Sequence, residues 1–290
     1  MLLFMTSSKS GFIALLMATT LFGACLPEEV AQSVPPESVP PRGPGDPAGG
    51  KPEHAIWQPA PGTTWQWQLT GQLDTSYDVD MYDVDLFETS DAAIKELQSR
   101  GIVVICYFSA GSWEDWRDDV KDLGFLDEVL GPTLDGWPDE KWFDISDWRV
   151  RAIMLTRLNL ARAKGCDGVE PDNVDGYTNW PQGITEAEQL DFLNFLASEA
   201  HARGLSIGLK NSPELADQLV DLFDWALNEE CLVWEECEAL RPFLDAGKAV
   251  FHVEYGSASL ADEVCSDPST EGFSSLVKKL DLDAWRVACD

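Results

Sequence analysis

The sequence predicts an α/β fold: a (β/α)8 TIM barrel, forming a single domain over residues 57–290. Two observations carry this expectation. Strand-like runs alternate with amphipathic runs, and about eight such units occupy about 230 residues, which suits a closed parallel barrel better than an open sheet. No glycine-rich dinucleotide loop follows the first strand-like run, which argues against the runner-up, a doubly wound sheet.

The strand-like runs are Thr64–Leu69, Val79–Leu86, Val103–Phe108, Gly168–Glu170, Ser206–Lys210, Trp225–Asn228, Ala249–Glu254 and a last one near Ala284–Ala288. Between them, Asp91–Arg100 places Ile94 and Leu97 at helical spacing, and Val150–Lys164 does so with Met154, Leu158 and Ala161. Thr185–Arg203, Ser212–Leu222 and Glu235–Ala246 continue the pattern.

The formal net charge is −31, from 51 acidic and 20 basic residues. Such a surface repels phosphate backbones, so nucleic acid is excluded as a partner. It attracts cationic ligands, although acidity also serves solubility alone. Twelve tryptophans are present; in excess they suggest platforms for sugar rings, against the ordinary reading of core and rim packing.

Residues 1–25 read as an export signal: Lys9, then the apolar run Phe12–Ala18, then Leu21-Phe22-Gly23-Ala24-Cys25. The small residues before Cys25 resemble a bacterial lipobox, which would place a lipid anchor on Cys25; ordinary cleavage after Ala24 is the alternative. The anchor is the one membrane contact expected, in the cell envelope or, without it, none in a secreted protein. Residues 26–56, with Pro35-Pro36, Pro40-Pro41, Pro44 and Pro47, read as a disordered tether. Six further cysteines can pair in an oxidising compartment. Cys231 with Cys237 and Cys265 with Cys289 are candidate pairs, and Cys106 with Cys166 are buried thiols or a third pair. No CxxC or Cys/His cluster stands in the sequence, so no metal site is expected. No obligate protein partner is implied.

In a barrel of this kind the active site gathers where the strands end. The second strand offers Tyr82, Asp83 and Asp85; the third Tyr107, Ser109 and Ser112. The fourth runs Asp167-Gly168-Val169-Glu170-Pro171-Asp172-Asn173-Val174-Asp175. The fifth ends in Lys210-Asn211, the sixth in Asn228-Glu229-Glu230 and the seventh in Glu254-Tyr255. These are acids, amides and aromatics. Of the three histidines, His54 falls in the tether and His201 on a helical run, so no Ser-His-Asp arrangement stands out. Opposed carboxylates from the fourth and sixth strands suit glycoside cleavage, which needs a general acid and a second carboxylate as nucleophile or base. Each acid singly has a plainer reading as a helix cap or surface charge, which suits Asp175 and Glu230 well. Paired carboxylates supply acid, base and nucleophile, so no cofactor is implied.

Several runs resemble glycoside hydrolase family 114. They are Trp65-Gln66-Trp67-Gln68-Leu69, Asp83-Val84-Asp85-Leu86-Phe87, Val104–Gly111, and the specific run Asp167–Tyr177. Gly208-Leu209-Lys210-Asn211, Asn228-Glu229-Glu230-Cys231 and Val250–Tyr255 extend the likeness over residues 57–290. The resemblance implies a (β/α)8 barrel with endo-α-1,4-polygalactosaminidase activity on a galactosamine polysaccharide. It makes Asp172 the nucleophile and Glu229 the acid/base, with Glu170 and Glu230 in reserve. One departure is Glu230, where the family pattern leads us to expect glutamine. On this reading Asp83, Asp85, Glu170 and Glu254 pair with substrate ammonium groups, and Lys210 orients a carboxylate or a sugar hydroxyl. Tyr82, Tyr107, Tyr177 and Trp113 are candidates to stack on or bind sugar, against a plain packing role, with Ser109, Asn173 and Asn211 also at the substrate; Asn173 has the alternative of a turn former. Two other readings stand beside it: a glycosidase of different α-linked specificity, and a surface barrel that binds polysaccharide without cutting it.

Overall fold

The computed structural model describes residues 56–289. The export signal, Cys25 and all of the tether but its last residue lie outside the described residues. The strands, in chain order, are β1 (Trp65–Gln68), β2 (Met81–Asp85), β3 (Val103–Ser109), β4 (Ser112–Glu114), β5 (Leu130–Leu134), β6 (Trp137–Phe143), β7 (Gly168–Asp172), β8 (Ser206–Lys210), β9 (Trp225–Glu229), β10 (Val250–Tyr255), β11 (Ser274–Lys278) and β12 (Val287–Ala288). The helices are α1 (Asp91–Ser99), α2 (Leu126–Val129), α3 (Trp148–Lys164), α4 (Gly176–Asn179), α5 (Glu186–His201), α6 (Ala216–Leu219), α7 (Arg241–Asp245) and α8 (Ala261–Ser266). Among the described residues no helix is long and apolar enough to cross a membrane.

Eight strands run parallel in the order β1-β2-β3-β7-β8-β9-β10-β11, and β12 adds antiparallel to β11. The sheet is curled. In a flat sheet β1 and β10 would stand about 29 Å apart, six strand spacings of about 4.8 Å. Instead the Trp65 and Phe251 rings are 4.9 Å apart. The edges β1 and β11 do not share a ladder. The segment after β11 fills the seam: Leu69 and Thr70 N–H donate to Leu282 O, Gln66 Nε2 to Ala284 O at 2.8 Å, and Arg286 to Trp65 O at 2.7 Å. The Cys265–Cys289 disulfide ties the same segment down.

The eighth parallel strand is thus Ser274–Lys278, ahead of the run near Ala284–Ala288 where a strand was expected. The later run is apolar enough to look like a buried strand, but only Val287–Ala288 pair, and antiparallel. The serines Ser274 and Ser275 mask the true strand. A second sheet, β4-β6-β5, is antiparallel and inserted between β3 and α3; the periodicity did not reveal it.

Strand alternation divides the core in two. Residues on one face pack against the helices: Val84, Val104, Cys106, Phe108, Val169, Ile207 and Leu209 meet Ile94, Leu97, Met154, Leu158, Phe192 and Leu196. The other face fills the curled interior with Trp65, Trp67, Met81, Ile105, Trp225, Leu227, Phe251 and Val253. Helix α3 buries Val150, Ile153, Met154, Leu158 and Ala161, a stripe at helical spacing. It is capped by Asp147 and ended by Gly165 in the left-handed region. Helix α5 starts in a Thr185–Glu188 capping box. Gly208 lets Trp225 into the interior: a Cβ there would stand 2.2 Å from the indole. Two helical runs are shorter than expected. Ser212–Leu222 becomes a 3-10 turn and α6, and Glu235–Ala246 a 3-10 turn and α7.

All three cysteine pairings are formed: Cys106–Cys166, Cys231–Cys237 and Cys265–Cys289. The fold also brings His252 beside Cys231 and Cys237, a grouping invisible in the linear sequence. Both sulfurs there are joined to each other, and the imidazole faces Ser275 Oγ and Glu254 Oε1, each at 3.0 Å.

Candidate active site

Strands β7, β8 and β9 end with Asp172, Lys210 and Glu229 on the interior face, in phase with Glu170 and Leu227. After each, the chain turns through a left-handed residue: Asn173 (φ 58°), Asn211 (φ 48°) and Glu230 (φ 60°). Asparagine tolerates this conformation; glutamate there stores strain of about 1–3 kcal/mol. The turns leave the three last side chains facing one another.

Lys210 is buried at the centre. Its Nζ lies 2.8 Å from Glu170 Oε1, 3.1 Å from Asp172 Oδ1 and 3.1 Å from Glu229 Oε2. Those Asp172 and Glu229 oxygens are therefore no more than about 6.2 Å apart, twice 3.1 Å. Each carboxylate is held from further sides. Asp172 accepts from Asn173 N–H at 2.7 Å and Tyr107 O–H at 3.0 Å. Glu229 accepts from Asn211 Nδ2 at 3.2 Å and from Tyr255 O–H. Burial, then the charge of Asp172, raises the Tyr107 phenol, and burial, then Glu229, raises that of Tyr255. Both stay protonated donors. Burial alone would lower the Lys210 pKa, but Asp172, Glu170 and Glu229 hold it well above its ordinary value.

Beneath this layer, Asp83 and Glu170 are fully buried. As carboxylates, neither Asp83 oxygen nor Glu170 Oε2 would have a donor. Burial, then the Glu170 charge, drives the Asp83 pKa well above the carboxylate range, so Asp83 keeps a proton and donates it to Glu170. Burial pushes Glu170 itself up to about 7, opposed by Lys210. At the mouth, two carboxyl groups, Asp172 and Glu229, share the one ammonium of Lys210.

The backbone around Asp172 is pinned. Its carbonyl accepts from Ala110 and Gly111 N–H at 2.8 and 3.1 Å. A Cβ on Gly111 would stand 1.7 Å from Asn173 O, so glycine is required there. Asn173 Nδ2 donates to Ser109 and Ser112 Oγ, and Ser112 O–H donates to Glu140 Oε2 at 2.6 Å.

Above the carboxylates opens a cleft of about 890 Å³, lined by Trp67, Tyr107, Asp172, Asn173, Lys210, Asn211, Glu229 and Tyr255. Asp85 also lines it, but Arg117 binds that carboxylate at 2.6 and 3.2 Å. The remaining expected residues lie elsewhere. Tyr82 and Glu254 sit on strand positions facing away from the interior. Tyr82 O–H donates to Asp74 O, and Glu254 accepts from Leu232 N–H. Ser109 is buried behind Asn173. Tyr177 hydrogen-bonds Glu214 at 3.2 Å, and Trp113 packs against the helix-facing core. The Glu230 carboxyl is absent from the cleft lining, and its pKa is raised by burial and then by Glu254. Asp175 lines the cleft and makes no capping bond to α4. Burial and Asp172 raise it to about 6. Sequence reasoning placed Tyr255 at a strand end without giving it a role, and missed Glu140 and Arg117. Tyr255 was legible, sharing its phase with Phe251 and Val253; the others come from or follow the inserted sheet.

A curled parallel sheet with opposed carboxylates over its C-terminal ends is the architecture of a carbohydrate-cleaving enzyme. The model of glycoside-hydrolase family GH114 matches residues 48–290. The chain belongs to that family and is a glycosidase. It is similar to Ega3 of Aspergillus fumigatus, solved in complex with galactosamine: 46% identity, 81% of this chain and 98% of that one covered, TM-score 0.77. It also shares its fold with the glycoside hydrolase domain of PelA from Pseudomonas aeruginosa, at 17% identity, 78% and 97% coverage and TM-score 0.60. No curated protein matches the chain.

Proposed function

We propose that the chain is a retaining endo-α-1,4-polygalactosaminidase acting on cationic, galactosamine-containing exopolysaccharide. One observation favours retention: Lys210 bridges Asp172 and Glu229, so one oxygen of each stands within about 6.2 Å of the other. Retaining pairs stand about 5–5.5 Å apart and inverting pairs about 6.5–9.5 Å, to admit a water. Glu229 gives its proton to the leaving glycosidic oxygen while Asp172 attacks the anomeric carbon and forms a glycosyl ester. Glu229 then takes a proton from water, which attacks the same carbon and releases Asp172. Lys210, Tyr107 and Asn173 N–H hold the nucleophile; Asn211 and Tyr255 hold the acid/base.

A cationic polymer is supported by the excess of carboxyl groups over ammonium at the site, by the further acids Glu88 and Asp281 on the cleft lining, and by the likeness to a protein solved with galactosamine. We read the sheet as a complete (β/α)8 barrel whose seam is filled by residues 282–289. Residues 1–25 are read as an export signal with a lipid anchor on Cys25; the three disulfides suit an oxidising compartment.

The test is product analysis on partly de-N-acetylated α-1,4-galactosamine polymer, beside an Asp172→Asn control. Short oligomers from the native protein alone, with α-configured first products by NMR, are the expected result. β-Configured first products would reject retention, and an uncut polymer would reject the substrate.

A further inference from the structure

We propose that Trp116, in the turn after β4, and Trp137, at the start of β6, form an aromatic subsite that stacks polymer rings remote from the bond being cut. The inference rests on the substrate class proposed above and extends it along the chain of the polymer.

Both indoles are about half exposed, 50% for Trp116 and 49% for Trp137, and both line the cleft that holds Asp172 and Glu229. The other two strongly exposed tryptophans, Trp148 and Trp234, are absent from that lining. Exposed apolar surface is costly, and where it is rimmed by polar groups within a cleft it marks a ligand groove. An indole face complements the C–H face of a pyranose ring, and it attracts an ammonium group as well.

The backbone holds the two rings in place. Trp116 immediately precedes Arg117, which is buried and forked onto Asp85 and onto Glu114 at 3.0 Å. The guanidinium also lies 4.6 Å over the Phe87 ring. This anchors the chain at Trp116 to the end of β2. Trp137 opens β6 directly after Gly136, whose φ of 80° makes the reversal from β5. The subsite is thus built on a turn anchored by Arg117 and on the hairpin that joins β5 to β6. At about 890 Å³ the cleft lies at the upper end of the roughly 300–1,000 Å³ range of small-molecule sites, large enough for more than the ring at the carboxylates.

The full chain is compared with Trp116→Ala/Trp137→Ala and with Trp116→Phe/Trp137→Phe on galactosamine polymer and on size-fractionated oligomers. The double alanine variant is expected to lose about tenfold in kcat/KM on polymer, chiefly through KM. The loss should shrink as the oligomers shorten below the reach of the insertion, and phenylalanine should restore most of it. An unchanged kcat/KM on polymer overturns the proposal, and so does an equal loss at every length that phenylalanine does not rescue. If the native protein leaves the polymer uncut, the substrate reading fails separately. The subsite is then read by binding to a glycan panel in the Asp172→Asn background. An affinity about tenfold weaker without the two tryptophans supports it; equal affinity, or no binding to any glycan, overturns it.

Discussion

Lys210 and Glu170 form a buried ion pair, Nζ to Oε1 at 2.8 Å, at the base of the cleft. The same ammonium reaches Asp172 and Glu229, so one cation holds three acids that would otherwise repel. Lys210→Met should lower kcat at least about a hundredfold. Breaking such a pair from one side costs on the order of 3–5 kcal/mol. The loss of melting temperature should be larger at pH 8 than at pH 5, because Glu170, raised to about 7, is neutral at the lower pH. Equal losses at the two pH values would refute this account of the cluster.

Tyr107 and Tyr255 each donate to one member of the carboxylate pair. Tyr107→Phe and Tyr255→Phe should each reduce kcat by about tenfold, the effect of losing one hydrogen bond to a charged group, about 1.5–3 kcal/mol at most. Steady-state kinetics run well below the melting temperature of each variant would separate this from a folding defect.

Gly111→Ala should remove at least about 2 kcal/mol of stability and most activity, since the added methyl falls on the Asn173 carbonyl. Gly124→Ala is the matched control, because nothing lies within 4 Å of a Cβ there. Thermal melts of the two variants give the comparison directly.

Acidification should stabilise the protein before it destabilises it. Glu140 and Glu170 are raised by burial to about 7, and Asp175 to about 6. A raised pKa favours the protonated native state, so its contribution is full below about pH 4 and is lost as pH climbs through 6 to 7. The melting temperature should therefore rise from pH 8 to pH 5. Glu140→Gln should flatten the rise, by about 1–3 kcal/mol at pH 8. A variant with the native slope would exclude Glu140 as a contributor.

The three disulfides should differ in weight. Cys106–Cys166 spans 60 residues and Cys231–Cys237 six. On loop-closure entropy their removal costs about 4 and about 2 kcal/mol. Denaturant melts of the paired Cys→Ala variants should show that order.

Much of this fold was legible because its strands obey period-two alternation and its long helices a 3.6-residue period. Seven parallel strands fell where Val, Ile, Leu and aromatic residues cluster. The last was hidden by Ser274 and Ser275. In the site, Asp172, Lys210 and Glu229 were legible as strand-end residues in a specific motif. The same alternation, applied to Met81-Tyr82-Asp83-Val84-Asp85, separates Tyr82 from Asp83 and Asp85, and applied to Glu254-Tyr255 it points Tyr255 inward. What no local pattern reveals is pairing at long range. Asp85 meets Arg117, 32 residues on, and Asp83 is left to share a proton with Glu170. The inserted sheet breaks the βα rhythm, so its residues had no place in a repeat-based reading.

The seam between β1 and β11 has a consequence in time. Trp65 and Gln66 bond to residues 209 and 218 positions later in the chain, and Arg286 reaches back 221 positions to Trp65. Contacts of such separation carry the largest loop-closure cost and slow folding. In the folded protein the 282–289 segment closes the edge beside the interior indoles of Trp65 and Trp67. The mouth of the cleft includes Leu280, Asp281 and Leu282 themselves. The cleft is therefore complete only when this stretch has met β1 across more than 200 positions of chain.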